Sequence, residues 1–168
     1  MLKALSISGI VVILDQITKN IVKHQMELGE SFNVIGSLVR FTFVENKGLA
    51  FSIVVSNLGF FTALSFVASM VVLYYLYKYR DEGIGVYLSL ALIFGGAVGN
   101  LIDRILFSKV VDFIDVGISS YRWPVFNIAD SAVSVGLVWF LIISWSFKEK
   151  EETIEESPDE SVNDHLSA

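Results

Sequence analysis

The stretch Gly83 to Ile102, GIGVYLSLALIFGGAVGNLI, decides the fold: 20 residues without a charge, followed at once by Asp103-Arg104. At about 1.5 Å per residue, a helix of this length spans the roughly 30 Å hydrocarbon core of a bilayer. Two more runs match it. Leu58 to Tyr77 is 20 uncharged residues, and Val125 to Phe147 is 23 residues whose one charge is Asp130. The first run, Leu2 to Val22, is interrupted by Lys3, Asp15 and Lys19. Its opening resembles a secretory signal peptide, with Lys3 before apolar Ala4 to Leu14. No Ala-x-Ala site follows, however, so a retained helix is expected. With 54% hydrophobic residues and a mean hydropathy of +0.62 across 168 residues, the chain exceeds the apolar share of soluble domains. The expected fold class is an all-α membrane protein, a four-transmembrane-helix bundle with helices at about 2–22, 58–77, 83–104 and 125–147.

Between the first two helices, Val39, Phe41 and Phe43 alternate with Arg40, Thr42 and Val44. This is a period of two in β-branched and aromatic residues, the pattern of a strand. With Gly29, Gly36 and Gly48 as turn positions, a small extramembrane β-sheet between helices 1 and 2 is expected at about 30–57; an ordered loop is the plainer alternative. Helices 3 and 4 are joined by a semi-apolar link, 106–124, which alternation of the spans places on the same side as the sheet segment. A single membrane domain would cover 1–148.

Charge is unevenly distributed. The net −6 of the chain divides into −7 over residues 149–168 and +1 over 1–148. The end, 149–168, is polar, lacks aromatics and contains Pro158, which reads as a disordered acidic tail. The near-neutral core offers no basic surface for nucleic acid. Lys and Arg counts favour cytoplasmic termini weakly, through the short Lys78–Glu82 link. The sequence holds no cysteine and two histidines, His24 and His165. Thiol nucleophiles and disulfides are excluded, and no metal site or cofactor is expected.

Four constellations carry chemistry. Asp15 and Lys19, four apart, share a helix face; they read as an interfacial ion pair or as groups that orient a site. Asn100 and Arg104 share a face of helix 3, with Asp103 in reach of Asn100, after Gly95, Gly96 and Gly99, which permit close helix approach. They read as a polar helix end or as groups that bind a polar part of a substrate. Asn127 and Asp130 lie three apart at the start of helix 4, with Ser131 and Ser134 nearby; Asp130 reads as a cap or as a functional acid. Asn46-Lys47-Gly48-Leu49-Ala50-Phe51 reads as a turn. A carboxylate at membrane depth costs about 2.5–3.5 kcal/mol or more, so such groups are functional by default. Asp112, in Val110-Val111-Asp112-Phe113, is by itself an ordinary loop aspartate.

Together these blocks resemble lipoprotein signal peptidase (signal peptidase II). Asp-Gln-x-x-Lys occurs at Asp15, an Asn-x-Gly block at Asn46, Gly-Asn-x-x-Asp-Arg around Asn100, Val-Asp-Phe at Asp112 and Phe-Asn-x-Ala-Asp-Ser at Asn127, in family order. Leu49 stands where the family usually has Ala, and Asp115 is an additional acid without an assigned role. The resemblance implies a membrane aspartyl endopeptidase without metal. It would cut prolipoproteins before a diacylglyceryl-modified cysteine, with Asp112 and Asp130 as the catalytic pair. Asp15, Asn46, Asn100, Arg104 and Asn127 would be the other polar site positions. It also implies a bacterial cell membrane, cytoplasmic termini and a site toward the outer leaflet; a monomer in contact with membrane lipid is expected. Phe51 and Trp123 are expected at the membrane interface. Rival readings are a small proton-coupled transporter, which would call for an internal repeat, and a non-enzymatic scaffold, which leaves the acids unexplained.

Overall fold

A computed structural model of the chain describes residues 1–47 and 58–156. Four long helices, α1 (Leu2–Gln25), α2 (Leu58–Lys78), α3 (Ile84–Phe107) and α4 (Ile128–Glu156), are joined by strands β1 (Ser31–Ile35), β2 (Val39–Asn46), β3 (Val110–Ile118) and β4 (Tyr121–Arg122). Each helix contains a stretch long and apolar enough to cross a membrane; in α4 it is Ile128–Trp145. The Gly48–Phe51 part of the turn block and Phe51 itself, the 48–57 part of the expected sheet segment, and residues 157–168 lie outside the described residues. The helix of α4 continues through Glu156, past residue 148, where the tail was expected to begin.

The bundle is organised around α3, which packs against each of the other three helices. Its glycines allow the close approach of α1 and α4. A methyl group on Gly95 would meet the Ser8 carbonyl and Val11 of α1, and one on Gly96 would overlap the Ala129 carbonyl and Val133 of α4. In lipid, where tails are as apolar as leucine, close van der Waals contact of this kind drives helix association. Ser8 Oγ adds a hydrogen bond to the Ala91 carbonyl at 2.8 Å.

The sheet is antiparallel, in the order β1-β2-β3-β4. It draws its second half from the link between α3 and α4, which the sequence reading left without secondary structure. Asp112 pairs with Val44 and Val110 with Asn46 across the β2–β3 ladder, with an irregularity between Phe41 and Val44. Phe43, Val111 and Phe113 turn to one side and pack on Val22 at the end of α1, with Met26, Phe41, Ile114 and Ile128 around them. Asp115, which the sequence reading could not place, ties the sheet together. Its Oδ2 accepts from Thr42 Oγ1 at 2.9 Å and its Oδ1 from Arg122 Nε at 2.8 Å. Arg122 donates further to the Ser37 carbonyl at 2.7 Å. The sheet thus sits at the end of the bundle where α1 and α3 finish and α4 begins.

Candidate active site

Asn127 precedes the first turn of α4. Its side-chain Oδ1 accepts the Asp130 N–H at 2.9 Å, and Asp130 Oδ2 accepts the Asn127 N–H at 3.3 Å. This reciprocal arrangement satisfies two donors that a helix start otherwise leaves open. The capping reading of Asp130 is therefore borne out, yet its other oxygen is free for a different task. Asp130 Oδ1 accepts from Asn100 Nδ2 on α3 at 2.7 Å. Asn127 also reaches the sheet, where its Nδ2 donates to Asp112 Oδ1 at 2.7 Å. The second Asp112 oxygen accepts from Asn46 Nδ2 on β2 at 3.0 Å. One residue, fully buried Asn127, consequently hydrogen-bonds to both Asp112 and Asp130.

The orientation of Asn100 is enforced from behind. Its Oδ1 accepts from Lys19 Nζ at 3.0 Å and from Asn127 Nδ2 at 3.1 Å, leaving the NH₂ to face Asp130. Lys19 is itself held at 2.8 Å from Asp15 Oδ2 and 3.1 Å from Asp103 Oδ2, all three side chains being at most 3% exposed. Asp15 Oδ1 accepts the Ala129 N–H at 2.9 Å, and Asp103 Oδ2 accepts the Val111 N–H at 3.1 Å. Gln16 Nε2 reaches Asp103 Oδ1 at 3.0 Å. This buried network fastens α1 and α3 to the residues next to each acid: Ala129 beside Asp130, and Val111 beside Asp112. Asp103 faces Lys19, Gln16 and Val111, where the sequence reading had it within reach of Asn100.

Asp112 is 2% exposed, and its carboxyl is pushed up to about 6. Burial is the main cause and the charge of Asp130 adds to the rise, while hydrogen bonds from Asn46 and Asn127 and the Lys19 charge pull the other way. Asp130 opens instead onto a cleft of about 280 Å³, shared with Asn100, Arg104, Ser65 and Ser134 between α2, α3 and α4. Arg104 donates to the Asn100 carbonyl at 3.3 Å and also borders a smaller hollow beside Asn46.

The structure therefore gathers Asp112, Asp130, Asn46, Asn100, Arg104 and Asn127 at one end of the bundle, with Asp15 one layer behind. Sequence reasoning weighed Lys19 beside Asp15 and Asp103 beside Asn100 without linking the two groups, and left out Gln16. The signal was present, since Lys19 follows Asp15 by one helical turn and Asp103 lies inside the Asn100 block.

A family described as signal peptidase (SPase) II matches residues 7–146. The chain is 40% identical over 151 residues to a lipoprotein signal peptidase of Syntrophus aciditrophicus (strain SB), covering 87% of this chain and 93% of that protein. It is 43% identical over 145 residues to one from Janthinobacterium sp. (strain Marseille), covering 84% and 87%. A solved structure described as a bacterial membrane enzyme superposes with a TM-score of 0.78 at 32% identity, over 95% of this chain and 94% of that one. A second bacterial membrane enzyme superposes with a TM-score of 0.75 at 34% identity, over 85% and 92%.

Proposed function

The chain belongs to the signal peptidase II family, and from that premise we propose that it cuts lipoprotein precursors with Asp112 and Asp130 as an aspartyl pair. It is a multi-pass membrane peptidase that removes signal peptides from lipoprotein precursors. The observation that carries the choice of residues is Asn127, hydrogen-bonded at once to both carboxyl groups.

Two acids so placed share a proton, because ionising the second beside the first is unfavourable. Asp112 keeps that proton below about pH 6. Asp130, facing the cleft, takes a proton from the attacking water as the water adds to the scissile carbonyl. Asp112 donates to the developing oxyanion; as the C–N bond breaks, the proton gained by Asp130 leaves with the amine and Asp112 recovers its proton from a hydroxyl of the collapsing diol. Asn100 and Asn46 hold the two carboxyl groups in position, and Arg104 supplies a cation at the cleft for a carbonyl of the bound chain. The substrate is a prolipoprotein cut before a cysteine carrying diacylglycerol. Its apolar signal segment lies along the cleft between α2, α3 and α4. The enzyme acts as a monomer in contact with membrane lipid.

Both termini lie in the cytoplasm and the site faces the outer leaflet of the bacterial cell membrane. The start of α1 and the end of α4 lie at the bundle end opposite the sheet and the acid pair, as this orientation requires. The native chain lacks cysteine, so single-cysteine reporters test it directly. Ser120→Cys should react with an impermeant maleimide in intact cells and Asp81→Cys should not; the reverse pattern would reject the orientation.

Asp112→Asn and Asp130→Asn are each expected to abolish cleavage of a lipidated precursor by the purified enzyme, while the protein still inserts and folds. Full activity in either variant would reject the pair.

A further inference from the structure

On the side of α1 away from the Lys19 network, a cavity of about 460 Å³ runs beneath the sheet, with Ile21, Met26, Phe32, Phe41, Phe113 and Ile128 among its walls. It is separate from the cleft that receives Asp130. The cavity is open on one side, and its lining is mostly apolar, with Thr18, Gln25 and Glu30 also bordering it. At its mouth stand Ile21, 55% exposed, and Phe32, 47% exposed. Ile21 ends a row of outward-facing residues on α1, Ile10, Leu14 and Ile17, all at least half exposed. Their spacing places them on one helix face, and they lie within a span able to cross the membrane. An exposed aliphatic row within such a span is a lipid-contacting surface, and the cavity continues it past Thr18, with Gln25 and Glu30 at its upper rim.

A bilayer is a solvent made of alkyl chains. An apolar hollow open to that solvent gains apolar contact when a chain enters it, whereas water in it would find few partners. We propose that this cavity binds one acyl chain of a bilayer lipid from the leaflet on the sheet's side, the chain leaving its headgroup at the rim, passing the Phe41–Phe113 pair and continuing down the Ile21–Ile10 row. Those rings meet edge to face with centroids 5.6 Å apart and form one wall of the upper part of the cavity. The headgroup would lie level with Gln25 and Glu30 at the cavity rim. The inner wall gives the site a further consequence. Phe113 follows Asp112 in the chain and Ile128 follows Asn127, so a bound chain braces the two segments that carry the acid pair. The binding itself does not depend on the peptidase reading.

The test uses the full-length protein in phosphatidylglycerol nanodiscs, with a trace of the same lipid bearing a diazirine at mid-chain. Photolysis followed by peptide mapping should label Met26, Phe113 or Ile128 as well as the outer row at Ile10 and Leu14. Ile21→Trp, placed at the exposed mouth so that the fold is kept, should abolish the inner labels and leave the outer ones. The proposal is overturned if only the outer row is labelled in the unaltered protein. It is equally overturned if inner labelling survives Ile21→Trp, or if a lipidated substrate carrying the diazirine labels the inner wall and the bilayer lipid does not.

Discussion

Replacing Lys19 by Met should be among the most damaging single changes outside the acid pair. The ammonium lies 2.8 Å from Asp15 and 3.1 Å from Asp103, with every partner at most 3% exposed. Removing it strands two buried carboxyl groups. Breaking one buried ion pair in this way costs about 3–5 kcal/mol. The lost hydrogen bond to Asn100 adds less, since such bonds between membrane helices average about 0.6 kcal/mol. The charge effect therefore decides the outcome. Against a total stability of about 5–15 kcal/mol, that loss is about a fifth of the total at the least and nearly all of it at the most. At about 2–4 °C per kcal/mol for a chain of this size, thermal unfolding in detergent should shift down by about 6–20 °C. Lys19→Met combined with Asp103→Asn removes one stranded carboxylate and should recover part of the loss, a coupling of about 1–3 kcal/mol. A fall of under about 2 °C in the single variant, or strictly additive losses in the pair, would refute the claim that Lys19 holds the layer behind the acids.

Four further outcomes are expected. With Asp112 raised to about 6, folding stability is fully present below the ordinary carboxylate value and is lost as pH rises through 6. Asp112→Asn should thus stabilise the inactive protein near neutral pH by about 1–2 kcal/mol after one lost hydrogen bond is deducted, read as a higher unfolding temperature. The same titration gives kcat/KM of the native enzyme an alkaline limb beginning near pH 6, and bound substrate, by excluding water, moves the limb of kcat higher; a flat profile across that range rejects Asp112 as the proton holder. Gly96→Val should push α4 off α3, since a Cβ there overlaps the Ala129 carbonyl. It should cost about 1–3 kcal/mol and most of the activity, whereas Gly9→Ala, with open space around it, should leave both unchanged. Deleting residues 149–168 should leave cleavage unchanged in the purified assay.

The four spans were readable because a long uncharged run has few other uses. The grouping of Asn100 with Arg104, and of Asn127 with Asp130, followed from helical spacing alone. The β3 strand was less visible. Val110-Val111-Asp112-Phe113 has the residue types of a strand, but its acids suggested a loop, and its partner β2 lies more than 60 residues earlier. Nothing local reveals a pairing of that range. The same limit applies to Lys19. Its bond to Asp15 is one helical turn away and legible, while those to Asp103 and Asn100 exist only after α1 and α3 pack. Asp115 appeared as a surplus acid because its partners, Thr42 and Arg122, come from two different strands.

A sheet assembled from both sides of the helical hairpin α2–α3 also dictates when the enzyme can come alive. During synthesis β1 and β2 emerge after the first span and must wait, unpaired along one edge, until the second and third have been threaded and β3 follows. Asn127 and Asp130 arrive later still, with the final span. A ribosome-bound chain stopped before α4 therefore has no hydrolytic centre, and the cell meets a finished protease only once insertion is complete.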